Sequence, residues 1–475
     1  MTHLAILLPL LLLAPARPRA AERRAPVRAV HLTAWVAGAP AARKRFLEKI
    51  RGTAVNAVVV AVKETDGKVY VPGLAKAREY GTGRTAIPDP AALLRDLKAQ
   101  GLIAIARIVV FKDDELARKK PEWAVRDPDG GVWKNRKGIA WVDPYRREIW
   151  EYNVDLASYA ARLGFDEVQF DYIRFPSDGD TTRCRYSRTD HSSKTAVENL
   201  QGFLRYARGR LPGVPLSAAL FGLTTTVEDD MGIGQDLAAM AGLVDVLSPM
   251  VYPSHYSKGL YGFKDPNREP YKVTRLALRD ARARLRTSAQ LRPYLQDFSL
   301  GFRYGAEQVR SEIRAAREQG IESWILWNPG NHYTWAAVQA GDYDSEKVVV
   351  EPVPPPRERT VLSRRGATGS REGRPPARRK KRRGLDRAAS PEPAPQSPPP
   401  AALGDPKGPA DIAPRTEGSG TVPAAPEGPK GSSSPTPGTG GSGTVPAALG
   451  DPKGPADIAP RTEGSGTVPS EEFGQ

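Results

Sequence analysis

Between Val27 and about Ala340 the chain reads as a (β/α)8 TIM barrel, on three observations. Eight short apolar runs rich in β-branched residues recur along the segment, longer stretches with helical spacing separate them, and several of those stretches end in glycine shortly before the next run. A glycine there suits the left-handed residue that closes a helix, so each strand and helix forms a unit with a defined end. Repeated units of this kind imply parallel strands joined by right-handed crossovers, and eight of them close into a barrel. An open doubly wound sheet is the alternative, weakened because no glycine-rich phosphate loop follows the first run.

The strand candidates, in order, are VRAVHLTAWV from Val27, AVNAVVVAVK from Ala54, LIAIARIVVF from Leu102, DEVQFDYIRF from Asp166, VPLSAALFG from Val214, LVDVLSPMVY from Leu243, LRPYLQDF from Leu291 and ESWILWN from Glu322. Helical patterns fill the gaps: AARKRFLEKIRG, PAALLRDLKAQG, DPYRREIWEYNVDLASYAARLG, KTAVENLQGFLRYARGRLPG, IGQDLAAMAG, VTRLALRDARARLRT and GAEQVRSEIRAAREQG. Long insertions are expected after the third and fourth strands. The barrel domain is taken as residues 27–345.

On either side of it the composition changes. Residues 1–21 read as a secretory signal peptide: the apolar run from Leu4 to Ala14 is too short to span a bilayer and small residues follow it, although no Lys or Arg precedes it. Residues 352–475 are rich in Pro, Gly, Ser and Ala and poor in aromatics, so they bury too little apolar surface to offset ordering entropy, and a disordered tail is expected. Within it, residues 400–423 recur unchanged at 446–469, and the run 357–387 holds 13 basic and 3 acidic residues. The whole chain has a formal net charge of +16, which favours anionic partners without naming one. Cys184 is the only cysteine, which excludes an intrachain disulfide and a thiolate metal cluster built from this chain. It reads as a loop thiol.

The fourth strand carries the strongest functional signal. In DEVQFDYIRFPSDG, alternation sends Glu167, Gln169 and Asp171 to one face and Val168, Phe170 and Tyr172 to the other. The apolar set suits the helices, which leaves an acid, an amide and an acid pointing into the barrel, where branched apolar residues are usual. Unpaired, such groups would cost several kcal/mol to bury, so they belong to a hydrogen-bonded network or to a site. Asp171 lies nearest the C-terminal rim, where barrel active sites form. An anchoring role through Arg174 is the plainer alternative.

Other strand ends converge on the same mouth. The second strand ends in Lys63, Glu64, Thr65 and Asp66, the third carries Arg107, the sixth ends in Tyr252 with His255 beyond it, the seventh in Gln296 and Asp297, and the eighth in Trp327 and Asn328. Rings beside acids and amides suit a carbohydrate, because sugar C–H faces pack on aromatics while hydroxyls pair with polar groups. Glycoside hydrolysis usually needs two carboxyl groups, about 5 to 5.5 Å apart in retaining enzymes and wider in inverting ones. Asp171 is one candidate and Asp297 a second, with the reservation that an inward Gln296 turns Asp297 outward. Asp229, with Asp230, and Asp143 stand in reserve.

The motifs ARIVVFKD, WVDPYRREIWEYN, GFDEVQFDYIRFPSDG, LSPMVYPSHY, RPYLQDF and ILWNPGN, in this order, resemble a bacterial family of glycoside hydrolase-type domains of unknown function, distantly related to amylase-type barrel enzymes. The resemblance implies that Asp171 corresponds to the acid at the end of the fourth strand, the nucleophile of amylase-type enzymes. It also marks a departure: where related sequences are expected to carry an acid on the fifth strand, this chain reads SAALFG, with Ala219 in that place.

Two functions follow as expectations. The first is an exported glycoside hydrolase acting on a polysaccharide or cell-envelope glycan. The second is a non-catalytic carbohydrate-binding barrel, tethered to an anionic envelope polymer by its basic tail. Five histidines without HExxH-type spacing argue against a zinc site, loop carboxylates leave calcium as an open alternative, and no metal or cofactor is assigned. No specific nucleic-acid partner is expected, and no later segment is apolar enough to cross a membrane. The periplasm, the cell surface and the medium are all compatible destinations.

Overall fold

The computed structural model describes residues 25–353, Arg286 excepted. The expected signal peptide, the basic run and the duplicated segment lie outside the described residues. Nine strands are present among the described residues: β1 (Arg28–Leu32), β2 (Ala57–Lys63), β3 (Ile103–Val109), β4 (Glu167–Asp171), β5 (Leu216–Phe221), β6 (Val246–Val251), β7 (Gln290–Leu291), β8 (Tyr294–Gln296) and β9 (Trp324–Trp327). All pairings between them are parallel. β1 pairs with both β2 and β9, and the β5–β6 ladder from Ser217↔Val246 to Phe221↔Met250 closes the ring.

The barrel has eight staves because β7 and β8 are one stave in two pieces. Both pair with β6, and they are separated by Arg292 and Pro293. The single strand expected from Leu291 is broken there because proline brings no N–H to a ladder. The first strand also stops earlier than its β-rich run suggests. Thr33 ends it, and Ala34–Gly38 turn into a short helix.

The outer layer follows the helical patterns of the sequence, with helices at Pro40–Ile50, Pro90–Lys98, Arg147–Leu163, Ser193–Arg210, Leu237–Ala241, Pro270–Arg284 and Ala306–Glu318. Local chemistry fixes their ends. Asp89 caps the second through Ala92 N–H at 2.8 Å, Ser192 and Thr195 form a reciprocal cap on the fourth, and Gly164 closes the third at φ 107°. Outward strand residues such as Val58, Val60, Ile108, Val168 and Phe170 form the main core with these helices. A smaller cluster, including Ala29, Val59, Ile105, Ala219, Tyr294 and Ile325, fills the barrel itself.

The insertions after β3 and β4 brace one another at the C-terminal side. Arg126 and Arg185 exchange backbone hydrogen bonds at 2.8 and 2.7 Å, and Trp133 Nε1 donates to the Asp180 carbonyl at 3.0 Å. Cys184 is buried in this region, and burial pushes its thiol up to about 12. The protonated thiol is a packing group rather than a nucleophile. Among the described residues no helix is long and apolar enough to cross a membrane.

Candidate active site

Each inward residue of β4 is satisfied on its own level of the barrel. Lowest, Glu167 accepts from Ser217 Oγ at 2.6 Å and pairs with Arg292. In the middle, Gln169 accepts from the Tyr294 hydroxyl and donates to Ser248 Oγ at 3.4 Å. At the C-terminal end Asp171 Oδ2 accepts from Arg107 Nε at 2.8 Å and Nη2 at 2.7 Å, and its Oδ1 accepts from the Tyr172 backbone N–H at 2.6 Å. Between these levels Val168 and Phe170 point out, and Phe170 meets Phe203 edge to face at 5.1 Å. Alternation thus holds from Glu167 through Asp171.

It stops at Tyr172. The sequence places this residue on the helix side, and its ring does join the main core, 6.2 Å from that of Trp141, but its φ of 51° breaks the period and the residue also borders a pocket at the barrel mouth together with Asp171. A left-handed non-glycine residue costs on the order of 1–3 kcal/mol, and such strain clusters at functional sites. Here it turns the Tyr172 N–H onto the Asp171 carboxylate.

Arg107, rising from β3, holds a second carboxylate. Its Nη1 donates to Glu64 Oε1 at 2.6 Å, so one guanidinium carries Asp171 and Glu64 at once. Burial alone would raise the Glu64 carboxyl, but Arg107 and His31 beside it outweigh that and hold it at about 2. Glu64 is therefore ionised at any ordinary pH. His31 Nε2 lies 3.6 Å from the same oxygen, its ring sits 4.2 Å from that of Trp327, and burial keeps it below its ordinary value. The Arg107 guanidinium is itself 5.3 Å from the Trp327 ring, and Tyr252 and Tyr294 complete the aromatic wall of the pocket.

Of the residues singled out in the sequence, Asp171, Glu64, Thr65, Arg107, Tyr252 and Trp327 meet in this pocket. The others are placed elsewhere. Lys63 shares the face of Val59 by alternation, but β2 shifts register between Ala61 and Lys63, and the ammonium pairs instead with Asp113 at 2.6 Å, the Val109 carbonyl at 2.8 Å and Asn153 at 3.0 Å. That shift is what gives Glu64 its place in the pocket. Arg174 stacks on Trp141, Tyr172 and Phe221 at 4.4–4.9 Å and donates to Ser177 Oγ, so it braces the loop after β4. Gln296 accepts from Ser254 Oγ at 2.8 Å, and that hydroxyl also meets His255 Nδ1 at 2.9 Å; the His255 ring packs on Tyr252 at 5.4 Å. Asn328 donates to the Asp297 carbonyl oxygen at 2.6 Å.

The second candidate, Asp297, and the reserve carboxylates stand outside the pocket lining. Asp297 accepts from Thr334 N–H at 2.8 Å and Thr334 Oγ1 at 2.6 Å, and burial raises it to about 6 against those two bonds. Asp229 is exposed and accepts from Met231 N–H at 3.0 Å. Asp230 and Asp143 accept backbone N–H groups of Gly234 and Ser187 and so hold their loops. Ala219 faces the barrel interior from β5, where it belongs to the inner apolar cluster. Among the described residues no group of three or more His, Cys, Asp or Glu is placed to hold a metal ion.

Carboxylates at strand ends, with tyrosine and tryptophan rings around them, are what barrels that cleave glycosidic bonds bring to their substrates. Comparison with known families gives the same class. Residues 29–333 match the family described as "Putative glycosyl hydrolase domain", and the chain belongs to it. Among solved structures, a hypothetical protein from Ruminiclostridium thermocellum ATCC 27405 is 35% identical over 40% of this chain and 96% of that one, with a TM-score of 0.37. The PgaB (BpsB) glycoside hydrolase domain from Bordetella bronchiseptica is 15% identical over 65% of this chain and 96% of that one, at a TM-score of 0.48. The alpha-L-fucosidase isoenzyme 2 from Paenibacillus thiaminolyticus is 16% identical over 67% of this chain and 49% of that one, at 0.49. No curated protein gave a match.

Proposed function

We propose that this glycosyl hydrolase-family barrel is an exported glycosidase that acts on a polysaccharide or envelope glycan, with Asp171 as the working carboxylate. The observation that carries this reading is the shared guanidinium. Arg107 grips Oδ2 of Asp171 and Glu64 together, on the floor of a pocket walled by Trp327 and Tyr252. Two carboxylates against one guanidinium leave a net negative mouth, which favours the positive charge that develops on the sugar ring as a glycosidic bond breaks. Asp171 then serves as nucleophile or as the base for water, and the rings hold the sugar face.

Protonation of the leaving group is less well provided for. Glu64, held at about 2, has no proton to give, and Ala219 puts a methyl group on β5. The reading therefore favours substrates with acidic leaving groups, and a steep dependence of rate on leaving-group pKa is expected with aryl glycosides. The same two residues support the alternative, a barrel that binds glycan without turnover. Reducing-sugar release from α- and β-glucans and peptidoglycan-type glycans, by the wild type and Asp171→Asn side by side, decides between them. Release by the first alone supports the hydrolase. Glycan binding by both with no release supports the binding barrel.

A further inference from the structure

Trp35 is the one exposed tryptophan among the described residues, with 48% of its surface open to solvent. It follows Thr33 at the end of β1, so it stands on the C-terminal rim rather than on the outer helices. Leaving half of such a ring in water forgoes burial that an apolar group would otherwise gain. Its surroundings hold it in place all the same. The Tyr70 ring lies 6.1 Å away, and the Tyr70 hydroxyl donates to Asp66 Oδ2 at 3.0 Å. Asp66 directly follows Thr65, which lines the mouth pocket. The platform is thus tied to the pocket edge.

Arg84 completes it. Its Cζ lies 4.8 Å from the Trp35 ring centroid, and its backbone N–H donates to the Val69 carbonyl at 2.8 Å, which fixes the base of the side chain. Arg84 is exposed and pairs with no carboxylate among the described residues. A flat indole takes the C–H face of a pyranose, and a guanidinium fork takes a carboxylate by two parallel hydrogen bonds. At the mouth itself Asp171 and Glu64 would repel such a carboxylate. An acidic sugar fits the rim and not the floor.

We propose that Trp35 and Arg84 form an outer subsite for a carboxylate-bearing sugar unit, so that the glycan this protein engages is an acidic polysaccharide. The inference rests on the reading of the Asp171 pocket as the place where the chain is held for cleavage. The test uses the full-length Asp171→Asn variant, titrated calorimetrically with hexameric oligomers of galacturonate, mannuronate and hyaluronan and with a neutral β-glucan hexamer. At least one acidic oligomer should bind about tenfold tighter than the neutral one; Arg84→Gln in the same background should cut that margin severalfold, and Trp35→Ala should weaken binding of both by about tenfold. The basic tail adds the same acidic preference to every variant, so the subsite is read as the part of the margin that Arg84→Gln removes. No acidic preference, or a margin as large in Arg84→Gln as in its parent, overturns the subsite. The two readings also fail separately. Arg84-dependent binding without reducing-end release by the wild type retains the subsite and removes the hydrolase. Cleavage of neutral glycans with KM unchanged in Trp35→Ala and Arg84→Gln does the reverse.

Discussion

One strand carries the same chemistry twice with opposite consequences. At the lower end of β4 a buried acid, Glu167, meets a buried guanidinium, Arg292, and at the upper end Asp171 meets Arg107. All four side chains are at least nine-tenths buried. What separates them is the neighbourhood. Glu167 is enclosed by Ser217 and the surrounding staves, whereas Asp171 opens on a pocket with aromatic walls and shares its guanidinium with a second acid. A buried ion pair is thus no evidence of function by itself; access, and a charge left over after pairing, are what distinguish the upper level.

The comparison is broken most directly by removing each acid in turn. Asp171→Asn keeps the shape and the Tyr172 N–H contact, so the fold should persist while glycosidase activity falls by about a thousandfold or more. Reducing-sugar assay beside circular dichroism checks both halves. An undiminished rate would remove Asp171 from the chemistry. Glu167→Gln should do the opposite. It leaves Arg292, which meets Glu167 through Nη2 and has no hydrogen-bond partner at Nε or Nη1, without its counter-charge inside the barrel, and should cost about 3–5 kcal/mol in urea unfolding with activity per folded molecule unchanged.

The fold and half of the site were legible in the sequence for the same reason. Period-two alternation in EVQFD is strict, and it placed three polar side chains in the barrel and Asp171 at the rim. What alternation could not convey was where the period fails. The shift at Ala61/Lys63 sends Lys63 out and Glu64 in, and the left-handed Tyr172 turns its backbone N–H onto Asp171 at the mouth while its ring stays in the main core. Neither residue is a glycine or a proline, so no turn signal marks either break. By spacing alone His31 speaks only to metal binding, yet it lies against Glu64 and Trp327, a contact between first, second and last staves that only barrel closure creates. Pro293, by contrast, is a strand breaker by sequence, but the apolar run that continues on both sides of it masks the break.

Acid titration sharpens the contrast further. Glu64 sits at about 2 in the fold against 4.5 as an ordinary glutamate, so its contribution is complete above 4.5 and is lost as pH falls from 4.5 towards 2. The loss should reach about 3 kcal/mol, and Glu64→Gln should flatten that stretch of the stability curve.

Asp297 has the opposite sign and a somewhat smaller effect. Its folded value of about 6 lies above the ordinary 3.8, so the fold is favoured below 3.8 and loses about 2–3 kcal/mol as pH rises through 6. Asp297→Asn removes that titration while its amide oxygen still accepts from Thr334, and the variant should be at least as stable as the wild type at pH 8, with no gain at pH 3.5. The same variant separates a wall residue from a working acid. A carboxyl that protonates near 6 has the proton a leaving group needs, yet this one faces Thr334 rather than the pocket. If it serves only the wall, the pH profile of kcat/KM is unchanged in Asp297→Asn. If the alkaline limb of that profile disappears with it, Asp297 supplies the proton that Glu64 and Ala219 do not, and the loop carrying Thr334 must open during turnover.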